Sequence, residues 1–328
     1  MRGVQMVEPG RFLVTDAPDP RPGPGEVLVR TYAASICGSD LHNVFGSTYT
    51  GSYPAPIGYP GHEAIGTVVT SRSSHVHAGD AVLTVPLPAR SACFAELQAL
   101  RGDYVVPLPA GADLRRLLMA QQLGTTLYAF RRYWGDERPA AGRSVAILGA
   151  GSAGLFLLQL ARRAGFTTTI VADHDARRLQ AAAALGADVL VNVSTEPFAT
   201  AVATATGGEG ADLVIEAAGY DDCRAACVDA VRSEGRLGFF GLHEHPGLAP
   251  FPFEAAFRKG VTIKMAVGAQ REPGLRAFRD SVDLIASGAI AVDHLLVPRF
   301  GLERFQEAIE AARDHAGLKV SLDVAPAS

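Results

Sequence analysis

Two short segments near the amino terminus concentrate side chains that bind metals and move protons. Cys37-Gly38-Ser39-Asp40-Leu41-His42 supplies a thiol, a hydroxyl, a carboxylate and an imidazole, and Gly61-His62-Glu63 adds a second imidazole and a second carboxylate. Thiolate, imidazole and carboxylate are the usual donors to zinc; three of them leave the fourth tetrahedral position open for catalysis. Taken alone, Cys37 reads as a packed apolar side chain and His62 as a histidine satisfied by its neighbours. A third segment gives them weight. After the apolar run Val145–Leu148 comes Gly149-Ala150-Gly151-Ser152-Ala153-Gly154, with Asp173 further on. This is the spacing of a dinucleotide-binding turn, in which the acidic residue falls about 20 residues later. Gly149 permits the tight turn, Gly151 leaves the backbone bare for a pyrophosphate, and Gly154 lets helix and strand approach closely. The phosphates would rest on the helix opened by Ser152 and Ala153, where unpaired N–H groups favour anions. Asp173 can accept hydrogen bonds from the adenosine ribose hydroxyls and would repel a 2′-phosphate, which favours NAD over NADP. Arg178, close by in sequence, works in the opposite sense.

These segments need elements to hold them. The first third reads as strands at Val27–Tyr32, Ala64–Thr70 and Ala81–Leu87, separated by turn-rich stretches. A helix is predicted over Asp113–Arg132 from the spacing of Leu114, Leu117, Leu118, Leu123 and Leu127. Short apolar runs then alternate with helical patterns. Strands are expected at Val145–Leu148, Thr169–Ala172, Val189–Val191, Leu213–Glu216 and Leu237–Phe240. Between them lie a helix over Ser152–Ala164, one stopping at Gly186, one capped by Thr195, and one over Asp222–Val231. Such alternation implies α/β architecture, a doubly wound parallel sheet with helices on both faces. A strand at Thr262–Val267, helices at Glu272–Ser287 and Leu302–Arg313, and a strand at Lys319–Val324 complete the reading.

The chain has 328 residues, which suggests two domains. Apolar residues make up 48% and charged residues 20%, as in a soluble globular chain. Lys plus Arg total 30 against 34 Asp plus Glu, so no basic excess exists to grip a nucleic-acid backbone. Four cysteines do not make a disulfide framework at this length, so a cytoplasmic location is expected. Met1–Pro9 lacks the apolar core of a secretion signal. Ser144–Ala161 is uncharged and largely apolar, but its glycines suit the dinucleotide turn better than a membrane span.

Over nearly its full length the chain resembles the zinc-dependent alcohol and polyol dehydrogenase branch of the medium-chain dehydrogenase/reductase family. The likeness rests on the Cys-x-Ser-Asp-x-His segment, the Gly-His-Glu segment, the glycine fingerprint and the closing Leu318-Lys319-Val320. It implies a GroES-like, β-rich catalytic domain over residues 1–126, completed by 268–328, around a Rossmann cofactor domain over 127–267. By the same resemblance Cys37 and His62 match catalytic-zinc ligands and Asp40 matches the carboxylate that orients the ligand histidine. Ser39 matches the hydroxyl that hydrogen-bonds the substrate alcohol, and His42 the outer end of a proton relay through the nicotinamide ribose. Thr125 resembles a threonine beside the nicotinamide, and Lys319 a basic residue near the pyrophosphate. The implied partner is a small alcohol or ketone, and the implied assembly is a homodimer or homotetramer.

Two departures from the family pattern matter. The four closely spaced cysteines of a structural zinc lobe are missing, with only Cys93 between Ala81 and Val106, so a single catalytic zinc and no structural zinc is expected. The third protein ligand of the family falls at Gln121, followed by Gln122, and a neutral amide is a poor zinc ligand. In the polyol branch the glutamate after the histidine is itself a ligand, so Glu63 takes that place. Gln121 is then left for the bound water, the substrate or the fourth position. Tyr128, one helical turn beyond Thr125, is a candidate for a substrate hydroxyl. The resulting expectation is a zinc-assisted, NAD-dependent oxidation of a secondary alcohol or polyol. The alternatives are a zinc-free NAD(P)H-dependent reductase of the same superfamily and a non-catalytic NAD(H)-binding sensor.

Overall fold

The computed structural model describes residues 1–325 apart from 47, 48, 136–138, 140 and 244. The chain forms two compact units, Met1–Gly124 with Gln270–Ser328, and Thr125–Ala269.

The first unit is built on a seven-stranded sheet. Its path runs Arg299–Gly301, Val320–Asp323, Glu26–Ile36, Glu63–Ser71, Ala81–Thr84 and Val105–Pro107, with Leu97–Arg101 also pairing Glu26–Ile36. The Glu26–Ile36 strand is longer than its expected span. Val27, Val29 and Thr31 point inward in the alternation of a half-buried strand, but from Ala33 to Ile36 both faces are covered. That doubly buried half has no alternation to read, which is why the sequence pattern stopped at Tyr32. Two strands flank it antiparallel. Ser35 faces Glu63, and Ser321 faces Ser35. An amino-terminal hairpin, Arg2–Glu8 with Arg11–Asp16, and the short helix Gly38–Phe45 were not anticipated. The expected helix from Asp113 to Arg132 is broken at Met119 into Leu114–Leu118 and Ala120–Tyr133, where the Met119 N–H bonds the Arg116 carbonyl.

The second unit is a six-stranded, all-parallel sheet in the order Val189–Asn192, Thr168–Asp173, Ser144–Leu148, Ala211–Glu216, Val231–Phe239, Thr262–Met265. Numbered within the unit this is 3-2-1-4-5-6, the doubly wound order that places a crevice where the winding reverses. The reversal falls between Ser144–Leu148 and Ala211–Glu216. Helix Ala176–Ala184 is capped by Asp175, and Gly186 follows its end, where the sequence placed the stop. Thr195 is not a helix cap: its hydroxyl donates to the Asn192 carbonyl, and the next helix, Phe198–Ala205, starts after Pro197. The uncharged stretch 144–161 is divided between a strand and a helix. No helix among the described residues is long and apolar enough to cross a membrane.

Candidate active site

Sheet register assembles the donor cluster of the first unit. The Glu26–Ile36 strand ends on Cys37, its antiparallel neighbour begins at Glu63 just after His62, and the strand on its other side begins just after Lys319. Three strand ends therefore deliver their chemistry to one end of the sheet. The ligand atoms of Cys37, His62 and Glu63 all lie within 4.8 Å of one another, close enough for one metal ion.

Asp40 organises the cluster from behind. It sits in the first turn of the helix Gly38–Phe45, fully buried, and its Oδ2 accepts the Cys37 N–H at 2.9 Å. Its Oδ1 lies 2.9 Å from His62 Nδ1. A proton held on Nδ1 leaves Nε2 as the donor atom facing Cys37 and Glu63, the arrangement that fixes tautomer and ring plane in zinc sites. Burial alone would disfavour a charged His62, yet the Asp40 carboxylate and Cys37 outweigh it and hold the imidazole well above its usual range. Ser39, on the same helix, brings its Oγ to 3.4 Å from His62 Nε2. His42 lies three residues further along, on the same helical face.

Glu63 is not alone. Its Oε2 accepts the Ser35 hydroxyl at 2.5 Å and lies 2.6 Å from Lys319 Nζ. Burial would push the carboxyl up, but the Lys319 charge reverses this and holds it below its usual range. The reciprocal effect keeps Lys319 charged. By the resemblance Lys319 is expected near a pyrophosphate. Its side chain is 3% exposed, and its charge is answered by Glu63 inside the first unit. Gln121 and Gln122 are buried at the start of the helix Ala120–Tyr133, in the same unit as the cluster. Cys93 is buried, its thiol pointing to the Glu63 carbonyl.

The second unit holds the glycine turn. Gly149 has φ +108°, and a Cβ there would lie 2.9 Å from the Ala217–Ala218 backbone. A Cβ on Gly154 would fall 1.8 Å from the Gly149 carbonyl oxygen, whereas one on Gly151 would meet nothing within 4 Å. Two glycines therefore hold the turn tight, and the third leaves bare backbone at the start of the helix Ser152–Ala164, a cradle suited to a pyrophosphate. Asp173 ends its strand 5% exposed. Its Oδ2 accepts the Ala150 N–H at 2.8 Å, its Oδ1 accepts the Asp175 N–H at 2.9 Å, and Arg178 Nη1 approaches to 3.5 Å. The carboxylate thus ties the glycine turn to the neighbouring strand before any ribose reaches it. Thr125 and Tyr128 also belong to this unit, and the Arg132 guanidinium covers the Tyr128 ring at 5.6 Å. His243 and His245 are both exposed.

One residue of this crevice escaped the sequence reading. Glu216 ends a strand at the winding reversal, fully buried, and accepts the Ala218 N–H at 2.6 Å and the Gly219 N–H. Burial raises its pKa even against those donors. The signal was a single acidic residue closing the apolar run Leu213–Ile215, at the carboxyl end of a parallel strand where ligands collect.

Residues 23–111 match the family described as alcohol dehydrogenase GroES-like domain, and residues 153–287 match the zinc-binding dehydrogenase family. A probable zinc-binding alcohol dehydrogenase of Mycobacterium tuberculosis is 30% identical, covering 100% of this chain and 89% of its own length. The L-threonine 3-dehydrogenase of Bacillus subtilis and the sorbitol dehydrogenase of Ovis aries are each 28% identical over 97% of this chain, covering 97% and 95% of their own lengths. Among solved structures, the alcohol dehydrogenase of Thermus sp. ATN1 superposes with a TM-score of 0.84 at 27% identity, covering 99% of this chain and 100% of its own. The chain belongs to the zinc-dependent alcohol and polyol dehydrogenase branch of the medium-chain dehydrogenase/reductase family. It is an oxidoreductase, with a GroES-like domain and a Rossmann-type parallel-sheet domain.

Proposed function

We propose that the protein oxidises a secondary alcohol or polyol, of the sugar-alcohol or cyclitol type, to the ketone with NAD, and runs the reverse reaction, using one catalytic zinc. The carrying observation is the cluster of Cys37, His62 and Glu63 with the Asp40 carboxylate seated behind His62. Thiolate, imidazole and carboxylate form a donor set that fits zinc. The sorbitol and threonine dehydrogenases among the relatives support a secondary carbinol as the reacting group.

Bound zinc would supply Lewis acidity that eases loss of a proton from an alcohol oxygen near neutral pH, and NAD would supply the hydride acceptor. The chain's own residues do the rest. Asp40 holds the His62 tautomer that presents Nε2 as a donor. Ser39 accepts the hydrogen bond of the substrate's hydroxyl and takes its proton as it gives up its own, and His42, on the same helix face, stands at the outer end of that relay. Gly151 and the opening turn of the helix Ser152–Ala164 cradle the phosphates. Asp173 at its strand end supports NAD over NADP through repulsion of a 2′-phosphate, against the opposite pull of Arg178 beside it.

The test is metal analysis joined to a substrate panel. Purified protein is expected to carry a single zinc per chain and to reduce NAD in the presence of polyols. Chelation should abolish turnover and zinc should restore it. A metal-free protein that turns over fully, or one that binds NADH without oxidising any alcohol, would refute the proposal. Ser39→Ala is expected to lower kcat by at least about tenfold, since a positioned proton-transfer group is typically worth that much or more. Its zinc content should stay unchanged; an unaltered kcat removes Ser39 from the proton path.

A homo-oligomer is part of the same reading. The strand Thr262–Met265 lies at the edge of its sheet, and Met265 and Val267 are 65% and 84% exposed, with Phe253 and Phe257 stacked on each other nearby in sequence. An apolar sheet edge of this kind supports pairing with a second copy, which the mass in solution would read. Four free cysteines support a reducing, cytoplasmic setting.

A further inference from the structure

The donor cluster adjoins a charge pair that the mechanism above does not use. Lys319 Nζ lies 2.6 Å from Glu63 Oε2, and the two side chains are 3% and 1% exposed. The Ser35 hydroxyl donates to the same oxygen at 2.5 Å. Sheet register holds all three, because Ser35 stands opposite both Glu63 and Ser321. Neither charge can turn to solvent.

The buried charges around the cluster can be counted. Cys37 as thiolate, Asp40 and Glu63 are negative, and Lys319 is positive. Together they balance a divalent cation, with Asp40 contributing through His62. The charge that complements Glu63 is already present as an ammonium. A metal entering the cluster therefore meets a carboxylate whose charge is partly taken by Lys319.

We propose that Lys319 is a positioning residue that restrains Glu63 and holds the zinc affinity of this centre below what Cys37, His62 and Glu63 would give without it, leaving the metal exchangeable. The inference rests on the zinc reading above. It assigns Lys319 a second effect of opposite sign. In the metal-free protein the ammonium spares Glu63 from being an uncompensated buried charge, so the empty cluster keeps its shape. The same residue stabilises the metal-free state and weakens the metal-bound one.

The experiment is a zinc titration of the full chain against a chromogenic chelator at fixed pH. It compares wild type, Lys319→Met, Lys319→Arg, Glu63→Gln, the Lys319→Met/Glu63→Gln double variant and Ser35→Ala. Lys319→Met is expected to bind zinc about tenfold or more tightly, because Glu63, no longer paired at 2.6 Å, regains its full charge for the metal. Its metal-free form should melt below wild type. Lys319→Arg should keep the wild-type affinity. In the Glu63→Gln background the Lys319→Met tightening should vanish, because there is no carboxylate left to release. Ser35→Ala, which removes only one hydrogen bond to Glu63, should tighten zinc by about threefold. Unchanged or weaker binding in Lys319→Met overturns the inference, and so does equal tightening in the Glu63→Gln background. If Lys319→Met does not fold, Ser35→Ala decides: no tightening there overturns it. A wild-type chain that takes up no zinc at all is a different failure, that of the zinc reading itself.

Discussion

Cys37→Ser is expected to leave the protein folded, without bound zinc, and slower by on the order of a thousandfold or more. Zinc typically supplies several kcal/mol of transition-state stabilisation, and each 1.36 kcal/mol is about a factor of ten. The substitution is nearly isosteric and leaves the backbone N–H that Asp40 Oδ2 accepts, so the start of the helix Gly38–Phe45 should survive. What it removes is the soft, readily ionised donor: a coordinating thiol gives up its proton outright, whereas a serine hydroxyl does not. Glu63 cannot replace that charge, because Lys319 already faces it at 2.6 Å. Zinc content by elemental analysis and NADH formation with a polyol read the two effects separately. A variant that keeps stoichiometric zinc would show that Cys37 is not a ligand.

Gly154→Ala should have the next largest effect, this time through the second unit. The added Cβ would fall 1.8 Å from the Gly149 carbonyl oxygen. A backbone atom, unlike the end of a long side chain, cannot step aside, so the helix must withdraw from the strand that precedes it. The turn that should cradle the pyrophosphate then opens, and a displacement of about 1 Å at a reacting centre can cost on the order of a hundredfold. kcat/KM for NAD is expected to fall by about that factor, with a lower melting temperature, while zinc content stays at the wild-type level. Gly151→Ala is the contrast. Its Cβ meets no protein atom within 4 Å, so it should fold normally and lose affinity only for the dinucleotide. Equal NAD affinity in wild type and Gly154→Ala would remove the glycine turn from the cofactor site.

Much of the second unit was legible because a parallel sheet writes itself as apolar runs separated by helices, and the strand order then follows from winding rules. Thr195 shows the limit: a residue of the right type one turn early found the Asn192 carbonyl instead of a helix end. In the first unit, Cys37 and His62 gained weight only beside the dinucleotide segment, and Glu63 entered the ligand set through the resemblance to the polyol branch, since Gln121 stands at the usual third-ligand position. The helix Gly38–Phe45 was not legible, because eight residues opened by glycine carry little periodicity. The partnership of Lys319 with Glu63 was out of reach of any local pattern. It depends on two strands, far apart in sequence, flanking a third in a particular register. Glu216 was hidden for a related reason: its importance lies in the turn it pins after the strand, not in the strand it closes.

That the third strand end comes from so late in the chain has a consequence for biosynthesis. A ribosome releases the thiol and imidazole donors long before Lys319 emerges. Until then the ammonium that faces Glu63 in the finished sheet is absent. Pairing of Val320–Asp323 with Glu26–Ile36 and delivery of the Glu63 counter-ion are therefore one event.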